Sequence, residues 1–394
     1  MPDAKPRIAI LGAGPTGLEA ALAAAEGGFP FTLYEAAPSV AGNVCAWGHV
    51  RTFTPWEMNV SPRMRRHLVE APGGADCPTG RELAVRLFDP LAALPAVSPN
   101  LRLGTQVLAV GREGLLKHEE IATAERGRHP FRLLLASGGR EWTENAGVVI
   151  DTTGTWGHPN SLGDGGIPAP GERPFGGEIR RHIPDLASEA ADWAGRTILL
   201  AGSGHSAQTA ARDLAELARQ APGTRVVWAL RSPEPGWGTH AGDPLPERAR
   251  LAAEAAALAG GASAAVETRR GVVVEEISRP NGRFEVTLRN GSGSERVAVD
   301  RILSLTGYVG DHELYRQLQV HECYATCGPI KLSGALLGAA AGDCLAQTTH
   351  GAETLTNPEP GFFILGSKSY GRNNTFLMRI GWEQVGEVFG MLEA

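Results

Sequence analysis

Short apolar runs without alternation set the frame of this chain. Ile8–Leu11 (IAIL) is too short for a helix and apolar throughout, the pattern of a strand buried on both faces. Gly12-Ala13-Gly14-Pro15-Thr16-Gly17 follows directly, and the alanine-rich stretch to Glu26 predicts a helix. A second apolar run, Phe31 to Tyr34, ends in Glu35. The pattern returns downstream. Arg196–Ala201 (RTILLA) predicts a buried strand, Gly202-Ser203-Gly204-His205-Ser206-Ala207 a turn, and the residues to about Gln220 a helix. The next strand, Thr224 to Leu230, ends in Arg231 rather than an acid.

Between and after these units the period changes. Leu101–Val110 and Pro130–Ala136 read as strands, with Gly147–Ile150 running into Asp151-Thr152-Thr153-Gly154-Thr155. Gly271–Ile277, Arg283–Leu288 and Val297–Leu305 are predicted strands joined by Asn281-Gly282 and Asn290-Gly291, strong hairpin signals. They end in Thr306-Gly307-Tyr308, so a meander leading into Thr-Gly occurs twice. Pro78–Leu94 predicts a helix capped by Thr79 with Glu82 three residues on. Glu247–Ala265 predicts another. Ala36–Pro72 lacks either period and reads as a structured loop with short helical turns, holding Trp47, His49, Arg51, Phe53, Trp56 and Asn59. Near the end, Pro360–Gly366 predicts a strand, Ser367–Asn374 a polar loop, and Thr375 the opening of a last helix.

The glycine spacing carries chemistry because of its strand–turn–helix setting. Gly12 allows the tight turn, Gly14 lets the backbone approach a pyrophosphate, and Gly17 lets helix and strand pack closely. Pro15 suits the first helical turn, where its missing N–H costs nothing, and Thr16 stands beside it. The helix N-terminus then presents free N–H groups and a positive dipole end to phosphate. Glu35 is placed to accept both ribose hydroxyls of an unphosphorylated adenosine. In the second copy Gly202, Ser203, Gly204, His205 and Ser206 form the equivalent turn, with Ala207 as the permitted third small residue. Arg231 there favours a ribose bearing a 2′-phosphate, since guanidinium matches phosphate with forked hydrogen bonds. Two different second-strand ends imply two different dinucleotides, and FAD with NADPH is the natural pair.

Composition narrows the class. Of 394 residues, 42% are apolar and 20% charged with a net charge of −6, so no basic patch points to nucleic acid. No apolar run approaches the roughly 20 residues that span a bilayer, and the first strand leaves no room for a signal peptide. Five scattered cysteines (Cys45, Cys77, Cys323, Cys327, Cys344) fit a reducing cytoplasm. The histidines are dispersed, and neither a metal-ligand spacing nor a Ser-His-Asp order appears.

Taken together, the two fingerprints, Glu35, Arg231, the paired Thr-Gly segments and the closing strand–loop–helix resemble the two-dinucleotide-domain flavoproteins. Within them the chain resembles the NADPH-dependent flavin monooxygenases. The resemblance spans nearly the whole chain. It implies an α/β fold of two Rossmann-like dinucleotide-binding domains, the second inserted in the first, each with an antiparallel β-meander. The expected boundaries are 1–170 and 301–394 for FAD and 171–300 for NADPH. Asn43, Val44, Thr153, Gly154, Gly366, Ser367, Thr375, Phe376 and Leu377 join the cofactor-binding set. Asn59, His49 and Arg51 are the candidates for the flavin's reactive side. The Lys368–Leu377 ending (KSYGR-x-x-x-FL) resembles a bacterial subgroup of such oxidoreductases, some linked to arsenic-resistance operons.

The implied reaction passes hydride from NADPH to flavin and one oxygen atom from a flavin C4a-hydroperoxide to a small nitrogen or sulfur nucleophile. Its partners are then a small-molecule substrate and O2, with no nucleic acid and no membrane; a homodimer is left open. A flavin oxidoreductase without oxygenation, and a flavin-binding redox sensor or electron-transfer protein, are the alternatives. Three departures from the family pattern stand out. The Phe-x-Gly-x-x-x-His signature is present only as Phe175 to His182, with the histidine one residue late. Gly366-Ser367 replaces the usual Gly-Asp. The Cys-x4-Cys pair of disulfide reductases is reduced to Cys45, with Val50 at the second position, while Cys323 and Cys327 lie elsewhere at Cys-x3-Cys spacing.

Overall fold

The structure, a computed structural model, describes residues 5–238, 243–338 and 349–394; Cys344 lies outside them. The chain first lays down β1 (Ile8–Leu11), β2 (Phe31–Tyr34), β3 (Leu101–Arg102), β4 (Gln106–Arg112), β5 (Phe131–Ser137), β6 (Arg140–Ala146) and β7 (Val148–Asp151). It continues with β8 (Thr197–Ala201), β9 (Arg225–Leu230), β10 (Val266–Arg270), β11 (Val273–Ser278), β12 (Phe284–Asn290), β13 (Gly293–Val299) and β14 (Arg301–Ser304), and returns in β15 (Phe362–Ile364). Two compact units result. One holds Met1–His158 and Val309–Ala394, the other Pro159–Tyr308. The inserted unit is wider at both ends than the 171–300 expected from the motifs.

In the first unit a parallel sheet runs in the order β15-β7-β1-β2-β3, with β1 in the middle and buried at all four positions. Continuous apolar strands follow from burial on both faces: Ile8, Ile10 and Leu33 pack with the helices Pro15–Glu26 and Met378–Glu393, and Ala9, Leu11 and Tyr34 with the strands β4, β5 and β6. The helix Pro15–Glu26 packs on this sheet and against the C-terminal helix Met378–Glu393. Small side chains permit the approach, and a Phe29–Phe389 edge contact at 5.8 Å closes its far end. An antiparallel meander, β4-β5-β6, completes the unit. The second unit repeats the plan: a parallel sheet β10-β9-β8-β14 and a meander β11-β12-β13. Two Rossmann-like sheets, one inserted in the other and each with a meander, make this the α/β fold that the motifs imply.

Five local expectations change. The stretch Val297–Leu305 is not one strand: β13 ends at Val299 and pairs antiparallel with β12, whereas β14 starts at Arg301 and pairs parallel with β8. An apolar run can serve two sheets, and periodicity does not show the corner. β6 was not expected, because REWTENA exposes most of its side chains and lacks apolar alternation. The Thr79 capping box is present, but the helix it opens breaks into an α turn, a π segment over Ala84–Phe88 and a final turn ending at Ala92. The last helix begins at Met378 rather than Thr375, since Asn373 Oδ1 accepts from both the Thr375 N–H (3.0 Å) and its hydroxyl (2.7 Å). That local turn competes with helical bonding for the same groups. The expected Glu247–Ala265 helix spans Pro246–Ala259.

Candidate functional site

The first glycine turn sits at the C-terminal end of β1, where ligands bind in open α/β sheets. Gly12 has φ +94°, and a Cβ there would lie 2.9 Å from the Thr152 carbonyl oxygen. A Cβ on Gly17 would come within 1.8 Å of the Gly12 carbonyl oxygen, so no side chain fits. Above Gly14, by contrast, nothing lies within 4 Å of an added Cβ. The helix opens on Gly14 with Pro15 in its first turn and no side-chain cap, so its first N–H groups face that open space. Thr16 is buried and packs under Gly366 and Gly381, where a Cβ would approach its hydroxyl to 2.9 and 2.7 Å.

Glu35 is drawn back onto this turn. Its two carboxylate oxygens accept the N–H groups of Ala13 (2.8 Å) and Ala37 (2.9 Å). Each oxygen keeps a lone pair, so the acid can hold a ribose while bracing the turn. Asn43 is exposed and Val44 buried in the short helix Gly42–Ala46 that follows.

The first Thr-Gly segment locks onto the same turn. The Thr152 hydroxyl donates toward the Leu11 and Gly12 carbonyls at 2.8 and 2.9 Å. Asp151, fully buried at the end of β7, accepts the Thr153 N–H and hydroxyl on one oxygen and Lys368 Nζ (2.6 Å) on the other. Lys368 is also buried; its ammonium lies 3.2 Å from the Thr153 hydroxyl and 5.0 Å from the Tyr315 ring centre. This ion pair ties the polar loop after β15 to the strand end beneath it. Its signal in the sequence is an acid closing an apolar strand and a lysine in the polar loop after the last strand.

In that loop Gly366 has φ +76°, and its N–H is committed to Gln384 Oε1 at 2.8 Å. It is therefore not free to replace the missing acid of the Gly-Asp pattern. Ser367 is half-buried, and its hydroxyl would stand 3.7 Å from a Cβ on Gly154. The loop thus brings Ser367 to Gly154, and Thr375, Phe376 and Leu377 lead into the uncapped N-terminus at Met378.

The three reactive-side candidates are placed differently from one another. Asn59 is 1% exposed; both its amide hydrogens go to carbonyls of Thr54 (2.8 Å) and Pro55 (2.9 Å), and its oxygen accepts the Thr54 hydroxyl. It holds its own loop together. Arg51 is exposed, bonds the Cys77 carbonyl and lies 3.8 Å from Glu82. His49 is half-buried two residues before it.

In the second unit the turn is built alike. Gly202 has φ +123°, a Cβ on it would lie 2.1 Å from the Leu305 carbonyl oxygen, and Gly204 has open space above it. Trp228 Nε1 donates to the Gly202 carbonyl (2.8 Å), and Gln208 to that of Ser203 (3.0 Å), fixing the turn from both sides. His205 and Ser206 begin a 16-residue helix that has no side-chain cap. Arg231, just past β9, is exposed and has no ion-pair partner among the described residues. Nearby, Glu172 accepts the backbone N–H groups of Leu162 and Ala169 and the guanidinium of Arg181 (2.8 Å). His182 Nδ1 lies 2.9 Å from the Tyr308 hydroxyl, which itself donates to the Arg181 carbonyl. The hydroxyl proton being used, His182 is the donor. Burial, with Arg180 adding to it, holds the His182 pKa below its ordinary value.

Residues 6–324 match the family model for pyridine nucleotide-disulphide oxidoreductases. The chain belongs to this family. It is thus an oxidoreductase of the two-dinucleotide-binding-domain flavoprotein superfamily, and the cofactor pair FAD and NAD(P)H accords with two cradles open above Gly14 and Gly204. None of the curated proteins matches its sequence. Among solved structures the fold is similar to that of the bacillithiol disulfide reductase Bdr (YpdA) from Bacillus cereus, at 17% identity over 99% of both chains with a TM-score of 0.73. It is similar too to the cadaverine monooxygenase DfoA from Erwinia amylovora (12% identity, 98% of this chain and 94% of that one, TM-score 0.66). The ornithine N-hydroxylase KtzI from Kutzneria sp. 744 aligns at 15% identity over 98% of both chains, with a TM-score of 0.62. At these identities the likeness is one of fold. Among the described residues no helix is long and apolar enough to cross a membrane.

Proposed function

We propose that the chain is an FAD- and NADPH-dependent monooxygenase that inserts one oxygen atom of O2 into a small nitrogen or sulfur nucleophile. The supporting observation is the failure of the family's dithiol at its usual place. Cys45 is exposed at the end of a five-residue helix, its sulfur 3.8 Å from the Val40 carbonyl, and the residue five positions on is Val50. With no thiol pair there, electrons have a direct route from nicotinamide to flavin to oxygen.

Residue roles in this reading follow from the two turns. The first unit takes FAD: Gly12, Gly14 and Gly17 admit the pyrophosphate, Glu35 the adenosine ribose, and the Ser367 hydroxyl and Gly154 border the chain leading to the flavin. The helix N-terminus at Met378 supplies positive potential where the reduced ring carries negative charge. The second unit takes NADPH, with Arg231 on the 2′-phosphate. FAD supplies the two-electron chemistry when bound. The protein's share is to orient both nucleotides and keep water from the reacting atoms.

The second reading, an oxidoreductase without oxygenation, is favoured by the disulfide-reductase neighbour. One experiment separates them: NADPH-reduced protein is mixed with oxygen in a stopped-flow spectrometer. An oxygenase passes through a transient absorbing species, and with nitrogen or sulfur nucleophiles NADPH consumption equals oxygenated product. Direct return of oxidised flavin, with only peroxide formed, makes the reductase reading the correct one.

A further inference from the structure

Two cysteines that neither nucleotide motif uses lie in the segment after Glu322. The Cys323 N–H donates to the Gly328 carbonyl (2.8 Å) and the Cys327 N–H to the Cys323 carbonyl (2.7 Å). An i to i+4 bond of this kind makes one turn and sets the two Cα atoms ~6 Å apart. A disulfide spans about 4.4–6.8 Å between Cα atoms, so the pair can close without moving the backbone far. Both are free thiols.

The two sulfurs sit in different settings. Cys323 is 6% exposed, and the N–H groups of Thr326 and Ala325 and the hydroxyls of Thr326 and Ser333 surround its sulfur. Those hydrogen bonds hold its thiol below the usual range, the Thr326 N–H contributing most. Cys327 is half-buried, and its sulfur accepts from Arg372 Nε at 3.2 Å. Cys327 is thus the more accessible sulfur of the two, with a guanidinium beside it. Cys327 also has φ +58°, a left-handed conformation in which glycine would be at ease.

The turn is clamped to the loop of the first glycine cradle. The Arg372 N–H donates to the Thr326 carbonyl (2.6 Å), and a Cβ on Gly371 would lie 2.0 Å from that same oxygen. Arg372 therefore spans the cysteine turn and the Gly366–Tyr370 segment that carries Ser367 and Lys368.

We propose that Cys323 and Cys327 form a redox pair that closes into an intramolecular disulfide by exchange with small-molecule disulfides, releasing Arg372 as it does so. The Cys327 thiolate attacks one sulfur of the disulfide, forming a mixed disulfide and expelling one small thiolate. Cys323 then attacks the Cys327 sulfur, and the second small thiolate leaves with the electron pair. Two electrons pass from the cysteine pair to the small disulfide, and the two protons of the pair end on the two small thiols. The pair stands outside the proposed oxygenation and does not depend on it.

The experiment uses the full-length protein as purified, reduced, desalted and exposed to oxidised glutathione, with alkylation of the remaining thiols and peptide mapping. The expected product links residues 323 and 327 in one peptide, loses two hydrogens, carries no glutathione there, and reopens with dithiothreitol. In Cys323→Ser the resolving thiol is gone, and Cys327 should retain a stable glutathione adduct. Cys327→Gly, compatible with the backbone at φ +58°, should fold and show no link. Wild-type protein in which both cysteines stay free, or in which each carries glutathione with no link between them, overturns the proposal. A linking rate in Arg372→Ala equal to that of wild type overturns the assignment of Cys327 as the attacking sulfur.

Discussion

The two glycine turns are the same device built to different tolerances. Both open a helix on a glycine without a side-chain cap, and both place a left-handed glycine under a carbonyl of the neighbouring crossover. At the third position they part. Gly17 leaves no room for a methyl group, whereas the second turn carries Ala207, fully buried and accommodated. The residues beyond the second strand differ more. Glu35 is bonded back to Ala13 and Ala37 and so is part of its own scaffold, while Arg231 stands exposed with no ion-pair partner among the described residues. The strand ends beneath differ likewise: Asp151 is neutralised by buried Lys368, but the Ser304 hydroxyl in the matching place meets, among the described residues, the Thr306 hydroxyl and the Arg181 guanidinium. A tightly braced cradle suits a cofactor that stays, and an open one suits a cofactor that comes and goes.

The sharpest break in this comparison is Lys368→Met. It leaves the Asp151 carboxylate buried without a partner, which should cost about 3–5 kcal/mol by denaturant unfolding. Glu172→Gln, beside the more accessible Arg181, should cost less. An equal loss would mean the two strand ends are alike after all. Gly17→Ala comes next: its methyl group meets a carbonyl oxygen that belongs to the turn itself, and about 3 kcal/mol is the expected loss. Gly14→Ala should stay within about 1 kcal/mol of wild type in thermal unfolding while loosening flavin retention, because the space above Gly14 is open.

Glu35→Ala tests the double duty of that acid. Loss of two backbone hydrogen bonds to a charged group should cost about 1.5–3 kcal/mol, and flavin retention after gel filtration should fall with it. Unchanged stability with lost flavin would make Glu35 a ligand only. Arg231→Ala should leave stability alone and change cofactor choice. A charged hydrogen bond of about 1.5–3 kcal/mol corresponds to roughly tenfold to a hundredfold in affinity, seen as a raised KM for NADPH with KM for NADH little altered. An unchanged ratio would place the 2′-phosphate elsewhere.

The smallest effect concerns protons. Because burial lowers the pKa of His182 from 6.5, the unfolded chain binds the proton more readily than the folded one. Its contribution is then complete above the unfolded pKa and is lost as pH falls from there toward the lower folded value. His182→Asn should flatten the fall in stability between neutral and mildly acidic pH, measured by denaturant unfolding across that range. A slope identical to wild type would show that His182 titrates normally.

Local chemistry made both glycine turns legible without coordinates. A buried four-residue strand, a left-handed glycine and an uncapped helix are each dictated within a few residues, so IAIL-GAGPTG and RTILLA-GSGHSA announced their folds directly. The Thr79–Glu82 capping box was legible for the same reason. Contacts between distant segments were not. Nothing near Lys368 says that it meets Asp151, more than two hundred residues earlier. Likewise β13 and β14 share one apolar stretch, and only their partners, β12 and β8, assign them to separate sheets. Residue spacing determined the two cradles because backbone sterics act locally. Which polar groups remain free to meet a ligand was decided by tertiary packing, since a hydrogen bond satisfied inside the fold is no longer available outside it.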